Sequence, residues 1–159
     1  MIGRAGHYGL HFGKSNHMLA NNVLIDSPML HSISANTKAK SNVFHNIEIL
    51  QKPTIDQHCG SNHQNLFDNT TVHISLDEEM NYPLFKGGGA GYWKPSHGAF
   101  STFWNTTVNV SNIGSNKKIK LNGMKDGPFA RVIGVNGNQT YEVDYQPMAI
   151  VKAVSYTHL

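Results

Sequence analysis

The chain has one cysteine, Cys59, in 159 residues. No intrachain disulfide can form, and no metal site can be built from thiolates. Charged residues make up only 14 % of the chain, and Lys117-Lys118-Ile119-Lys120 is its one dense basic run. That is too little concentrated charge for a nucleic-acid partner, and the run reads as a solvated strand end. The net charge of +3, with ten His uncounted, is compatible with an acidic polysaccharide. No apolar run reaches about 18 residues, so no helix is long and apolar enough to cross a membrane, and no membrane partner is expected. No stretch carries a helical apolar period.

What is present is turn chemistry and β-formers. Asn (17), Gly (15) and His (10) are abundant, as in turn-rich β proteins. One phrase recurs, an Asn followed by alternating apolar residues. Its copies start at Asn22, Asn46, Asn69 and Asn105, with steps of 24, 23 and 36 residues. Side chains alternate faces along a strand. Val23, Ile47, Thr70 and Thr106 are thus expected in one inward column, Ile25, Ile49, Val72 and Val108 in a second, and Ile74 and Val110 in a third with Gln51. Upstream, Ala20, Phe44, Phe67 and Phe103 align. The four Asn are expected to form a side-chain ladder at a turn, beside stacked aromatics.

A Pro phrase follows three of the strands. Aligned on Pro28, Pro53 and Pro83, it puts Leu30, Ile55 and Phe85 in an inward column and His31, Asp56 and Lys86 in an outward one. Pro128 suggests a further copy that would add Arg131. Two strands per period of about 24 residues describe an all-β fold, a parallel β-helix solenoid of about five to six coils stacked at about 4.8 Å. The longest step holds an acidic insertion, Ser75–Tyr82, expected to be able to fold over a cleft. One domain is expected over residues 1–153.

The ends read as unnatural. Residues 1–7 lack the charged and apolar regions of a signal peptide, and strand material starts without a cap. Residues 154–159 resemble a translated sequencing adapter. A piece of a longer protein is expected.

The column His31, Asp56, Lys86, with His58 beside it, offers an acid–base pair and a cation on one sheet. Such a set suits proton abstraction next to a carboxylate or protonation of a glycosidic oxygen. It also fits a plain charge ladder on a solvated sheet. Asp56, His58 and His63 invite a metal reading, but their spacing matches no standard zinc motif, so no cofactor is expected, with a divalent cation as the alternative. Cys59 reads as a small buried residue. Lys86–Gly98 is Gly-rich, yet it lacks the Gly-Lys-Ser/Thr ending of a phosphate loop. Its glycines fit the wall of a cleft, Tyr92 and Trp93 fit a stacking platform for sugar rings, and His97 is another acid–base candidate. No Gly-x-Ser-x-Gly turn supplies a serine nucleophile. Glycoside hydrolysis needs a pair of carboxylates, and the repeat supplies no obvious outward pair.

Several stretches together resemble a known family. They are Arg4-Ala5-Gly6-His7-Tyr8-Gly9-Leu10, Pro28-Met29-Leu30-His31-Ser32-Ile33, Asn42-Val43-Phe44, Ile55-Asp56-Gln57-His58, Asn65-Leu66-Phe67 and Gly98-Ala99-Phe100-Ser101-Thr102-Phe103-Trp104-Asn105. Over roughly residues 4–135 the chain is similar to the pectate-lyase-like right-handed parallel β-helix superfamily, and within it to a DUF4955-type bacterial group. The resemblance implies a secreted or cell-surface carbohydrate-active protein, a lyase or glycoside hydrolase acting on a polysaccharide, or a non-catalytic carbohydrate-binding or tailspike-like β-helix. The Arg and calcium-binding acidic cluster of pectate lyases has no counterpart here. On this reading the catalytic set is His31, Asp56, His58, Lys86 and His97, with Tyr92, Trp93 and Arg131 binding substrate.

Overall fold

The computed structural model describes residues 6–59, 61–76, 78–86, 98–114, 116–144 and 151–152. The described chain is all-β apart from one 3-10 turn, Met124–Asp126. Its strands are β1 (Gly6–Gly13), β2 (Leu19–Ile25), β3 (Met29–Asn36), β4 (Val43–Ile49), β5 (Ile55–Asp56), β6 (Leu66–Ile74), β7 (Asn81–Tyr82), β8 (Thr102–Val110), β9 (Lys118–Leu121), β10 (Arg131–Gly137), β11 (Thr140–Val143) and β12 (Val151–Lys152).

Among the described residues all the strand pairings are parallel. The even-numbered strands form one six-stranded sheet in the order β12-β10-β8-β6-β4-β2. The odd-numbered strands form two three-stranded sheets, β1-β3-β5 and β11-β9-β7. The chain therefore leaves the large sheet after every strand and returns one position further along. A parallel bridge line through Asn16, Lys40, His63 and Ala99 marks a third recurrent contact between them.

The recurring Asn phrase sets the register of the large sheet. Val23 pairs with Ile47, Ile47 with Thr70, Ile25 with Ile49, Ile49 with Val72, Val72 with Val108 and Ile74 with Val110. These columns are buried except for the half-buried Val23. Phe44, Phe67 and Phe103 stack face to face, with centroids 4.8 and 4.7 Å apart and planes within 7°. Phe12 packs on Phe44, and Phe85 meets Phe103 edge-on. Burying each such ring contributes a few kcal/mol, and each aromatic pair adds about 0.5–1.5 kcal/mol.

The four Asn occupy the left-handed region, with φ of 52–57°. Asn tolerates this conformation better than other residues with a Cβ, which is why the phrase begins with it. Their amides form the expected ladder. Asn46 donates to Asn22 (2.6 Å), Asn69 to Asn46 (3.1 Å) and Asn105 to Asn69 (3.5 Å). A further rung escaped the sequence pattern because its two functions are split. Gly134 takes the positive φ of 74°, and Asn136 donates to Asn105 at 3.1 Å.

The Pro alignment is corrected by the structure. Ile55 pairs with Ile33 rather than Leu30, and Leu30 is 58 % exposed. Between the two copies the Pro-to-strand distance differs by three residues, so equal spacing from Pro does not mean equal height in the sheet. Arg131 is also relocated. It opens β10 opposite Thr102 in the large sheet and is exposed, so it does not extend the column of Asp56. The acidic insertion is partly built into the fold: Leu76 is buried, and Asn81–Tyr82 form β7.

Candidate functional site

The outward face of β1-β3-β5 gathers the ionisable groups. Tyr8 lies opposite His31, His11 opposite Ser34, and Ser34 opposite Asp56. His31 and Ser34 stand three residues apart, which strict alternation would send to opposite faces. Both nevertheless approach Asp56, so the alternation slips once between them. Gly9 sits at the same level of β1, where a Cβ would meet Ser32 O at 2.6 Å. The slip leaves Ile33 and Ala35 in the core and puts His31, Ser34 and Asn36 on the other side.

Asp56 is the centre of the cluster and is 0 % exposed. His58 Nδ1 lies 2.6 Å from each of its carboxylate oxygens. Ser34 Oγ donates to Oδ2 at 2.9 Å, and Asn36 Nδ2 donates to Ser34 Oγ at 3.3 Å. Asn36 Oδ1 in turn contacts His11 Nε2 at 3.1 Å. His31 Nδ1 stands 3.9 Å from Asp56 Oδ2, too far for a hydrogen bond. His31 and His58 are 7 % and 8 % exposed. Around them the His7 ring lies 5.4 Å from His31, Tyr8 stacks on His11 at 4.4 Å, and Tyr8 lies 5.6 Å from His31.

Burial holds the His31 imidazole below its ordinary pKa. Asp56 opposes that shift, whereas His58, His7 and His11 reinforce it.

The sequence-predicted residues divide into three groups. His31, Asp56 and His58 come together, through the Ser34 register rather than through direct pairing. Lys86 does not join them. It is exposed and lines a separate cavity of about 710 Å³ with Lys120, Lys125, Asp126 and Asp144. Tyr92, Trp93 and His97 lie outside the described residues. His63 also stays apart, bridging between Lys40 and Ala99 with its ring on Gln64. Cys59 is half-buried and receives a contact from Thr37 Oγ1 at 3.6 Å. Two more acid–imidazole pairs among the described residues, His45–Asp68 and His73–Glu48, are more exposed and sit on the large sheet.

Ser34, Asn36 and His11 were missed by the sequence reading. A signal for them existed. Stepping back 23 residues from His31 gives Tyr8, and stepping back 22 from Asp56 gives Ser34, steps close to the Asn phrase's 24 and 23. The Pro anchor hid this.

A second polar line runs inside the fold. Asn42 donates to Asn65 at 3.1 Å, Asn65 to Gln57 at 3.3 Å, and Ser101 to Gln57 at 2.7 Å. Asn42, Asn65, Gln57 and Ser101 are all buried, so these bonds replace the water that their amides and hydroxyl lose.

No family model matches the chain, and neither a curated protein nor a solved structure matches it.

Proposed function

We propose that this chain is part of a right-handed parallel β-helix protein, secreted or surface-borne, that cleaves a polysaccharide at the outward face of β1-β3-β5. The architecture is supported by exclusively parallel pairing and by the alternation of odd and even strands between sheets. The observation that carries the chemistry is the buried Asp56–His58 pair with His31 beside it.

Asp56 accepts the Nδ1 proton of His58, which leaves Nε2 as the basic nitrogen. An imidazole fixed in this way can act as a general base through Nε2. It suits abstraction of the proton next to a uronate carboxylate, the first step of β-elimination. Hydrolysis needs a second carboxylate 5–9.5 Å away, to a rough approximation. Among the described residues, Asp68 and Glu48 are engaged with His45 and His73 on the large sheet. Elimination needs no second carboxylate, and the Asp56–His58 pair is enough to supply its base.

One observation favours the non-catalytic alternative, a carbohydrate-binding or tailspike-like β-helix. Phe100 and Phe129 stack at 5.0 Å while 46 % and 42 % exposed, both at positive φ. Exposed, paired rings offer a platform for sugar faces without any catalytic group.

The protein is incubated with acidic and neutral polysaccharides, and reducing ends and the ultraviolet absorbance of unsaturated products are followed together. Both signals rise for elimination, and only reducing ends rise for hydrolysis. Binding with neither signal establishes the non-catalytic reading. In His58→Ala, cleavage falls by about 10²–10⁴-fold, the usual contribution of a general base, while circular dichroism stays unchanged. Wild-type rates in that variant would remove His58 from the reaction.

A further inference from the structure

The acid–base reading leaves one atom unexplained. His31 Nδ1 is buried and finds no hydrogen-bond partner among the described residues. Its residue is only 7 % exposed, and the nitrogen is directed toward the Asp56 carboxylate at 3.9 Å. Burying an imidazole nitrogen with nothing bound to it costs stability, so such an atom calls for an occupant.

The distances identify the occupant's chemistry. One ligand atom from each of His31, Asp56 and His58 lies within 4.8 Å of the others. Around a tetrahedral ion with bonds of about 2.0–2.2 Å, neighbouring ligand atoms stand about 3.4 Å apart. The His58–Asp56 contact of 2.6 Å and the His31–Asp56 separation of 3.9 Å bracket that value. Modest side-chain shifts bring both to it, His58 moving out and His31 moving in.

The geometry points to His31, Asp56 and His58 as a three-ligand site for a divalent transition cation of the zinc type, with the fourth position open. Two imidazoles and one carboxylate form a borderline donor set that suits zinc, cobalt or iron better than calcium or magnesium. The shell outside it is in place. Ser34 Oγ donates to Asp56 Oδ2, and Asn36 donates to Ser34. Partners of this kind orient a ligating carboxylate. Ligation through His58 Nδ1 requires the proton that this nitrogen shares with Asp56 to move to Nε2, a change of tautomer that frees the Nδ1 lone pair for the ion. A water in the open position would be acidified and would take over the proton-abstracting role given to His58 above. That use rests on the polysaccharide reading, whereas the binding itself does not. The set was invisible to motif spacing because His31 enters from a different strand, 25 residues before Asp56.

Chelator-treated protein is titrated with Co²⁺ and followed by visible absorption, after which Zn²⁺ is added. A ligand-field band that saturates at a single equivalent and is displaced by Zn²⁺ is expected. Affinity falls about 100-fold or more in His31→Ala and in His58→Ala, the upper end of what loss of even an outer partner causes. His63→Ala, whose ring bonds Gln64 away from the cluster, keeps the wild-type titration. The site is overturned by the absence of a band in the wild type, by an unchanged band in His31→Ala, or by its loss in His63→Ala. The wild-type titration decides the matter even where a variant fails to fold. Cleavage without cobalt binding removes the metal site and leaves the polysaccharide reading; binding without cleavage does the reverse.

Discussion

The six-stranded sheet and the β1-β3-β5 sheet are built from the same chain by different rules. In the large sheet β4, β6 and β8 repeat one pattern, with a left-handed Asn, inward columns on each side of it and a stacked Phe behind. In the small sheet one alternation slips, and a polar, largely buried set of His31, Ser34, Asp56 and His58 results. Repetition is cheap to encode, because each level satisfies the next. A departure from it must be held by particular partners, and here those partners are ionisable. The regular sheet thus reads as scaffold and the irregular one as site, consistent with the view that local rules are broken where function lies.

The largest effect should come from the aromatic column. Phe67→Ala removes the middle ring between Phe44 and Phe103 and should cost about 3–5 kcal/mol in a denaturant unfolding curve. A loss below about 1 kcal/mol would mean that the large sheet does not carry the stability assigned to it. Next comes the small sheet's network. Ser34→Ala deprives Asp56 of a buried donor and Asn36 of its acceptor, and should cost about 1.5–3 kcal/mol, the range for hydrogen bonds to charged groups. Under the proposed function, cleavage of a polysaccharide should fall further than stability explains, because Asp56 then holds His58 less firmly. If Ser34→Ala changed neither quantity, the distinction between scaffold and site would fail at its centre. The smallest effect tests the ladder. Asn69→Val places a β-branched residue at a φ of 53° and should lose about 1–2 kcal/mol. Asn69→Gly keeps the conformation and gives up only exposed amide bonds, so it should lose well under 1 kcal/mol. Equal losses in the two would show that the amide ladder, rather than the backbone conformation, is what Asn supplies.

The large sheet was legible in the sequence because its signal is local. An Asn at a left-handed corner, followed by period-two apolar residues, states both the conformation and the buried face of that strand. The columns that start at Val23 and Ile25 stand in the structure as expected, whereas Gln51, expected inward beside Ile74 and Val110, is exposed and donates to Asp26 instead. The Phe stack followed from the same counting. Asn136 was missed because Gly134 took over the backbone role and left the amide two residues away. The small sheet was only half legible. His31, Asp56 and His58 were correctly grouped, but on an alignment that also recruited Lys86 and Arg131.

By itself the sequence determined the period, the inward columns, the Asn corner and the concentration of His and Asp on one side of the chain. These follow from residue types and short-range geometry, which act without reference to the rest of the molecule. Tertiary structure alone decided the register of β3 against β5, the slip that turns His31 and Ser34 to the same carboxylate, and the placing of Lys86 in another cavity. Turn lengths vary by a few residues without a sequence marker. A shift of even one residue sends a side chain to the opposite face, so which ionisable groups meet is settled only when the sheets close around the core.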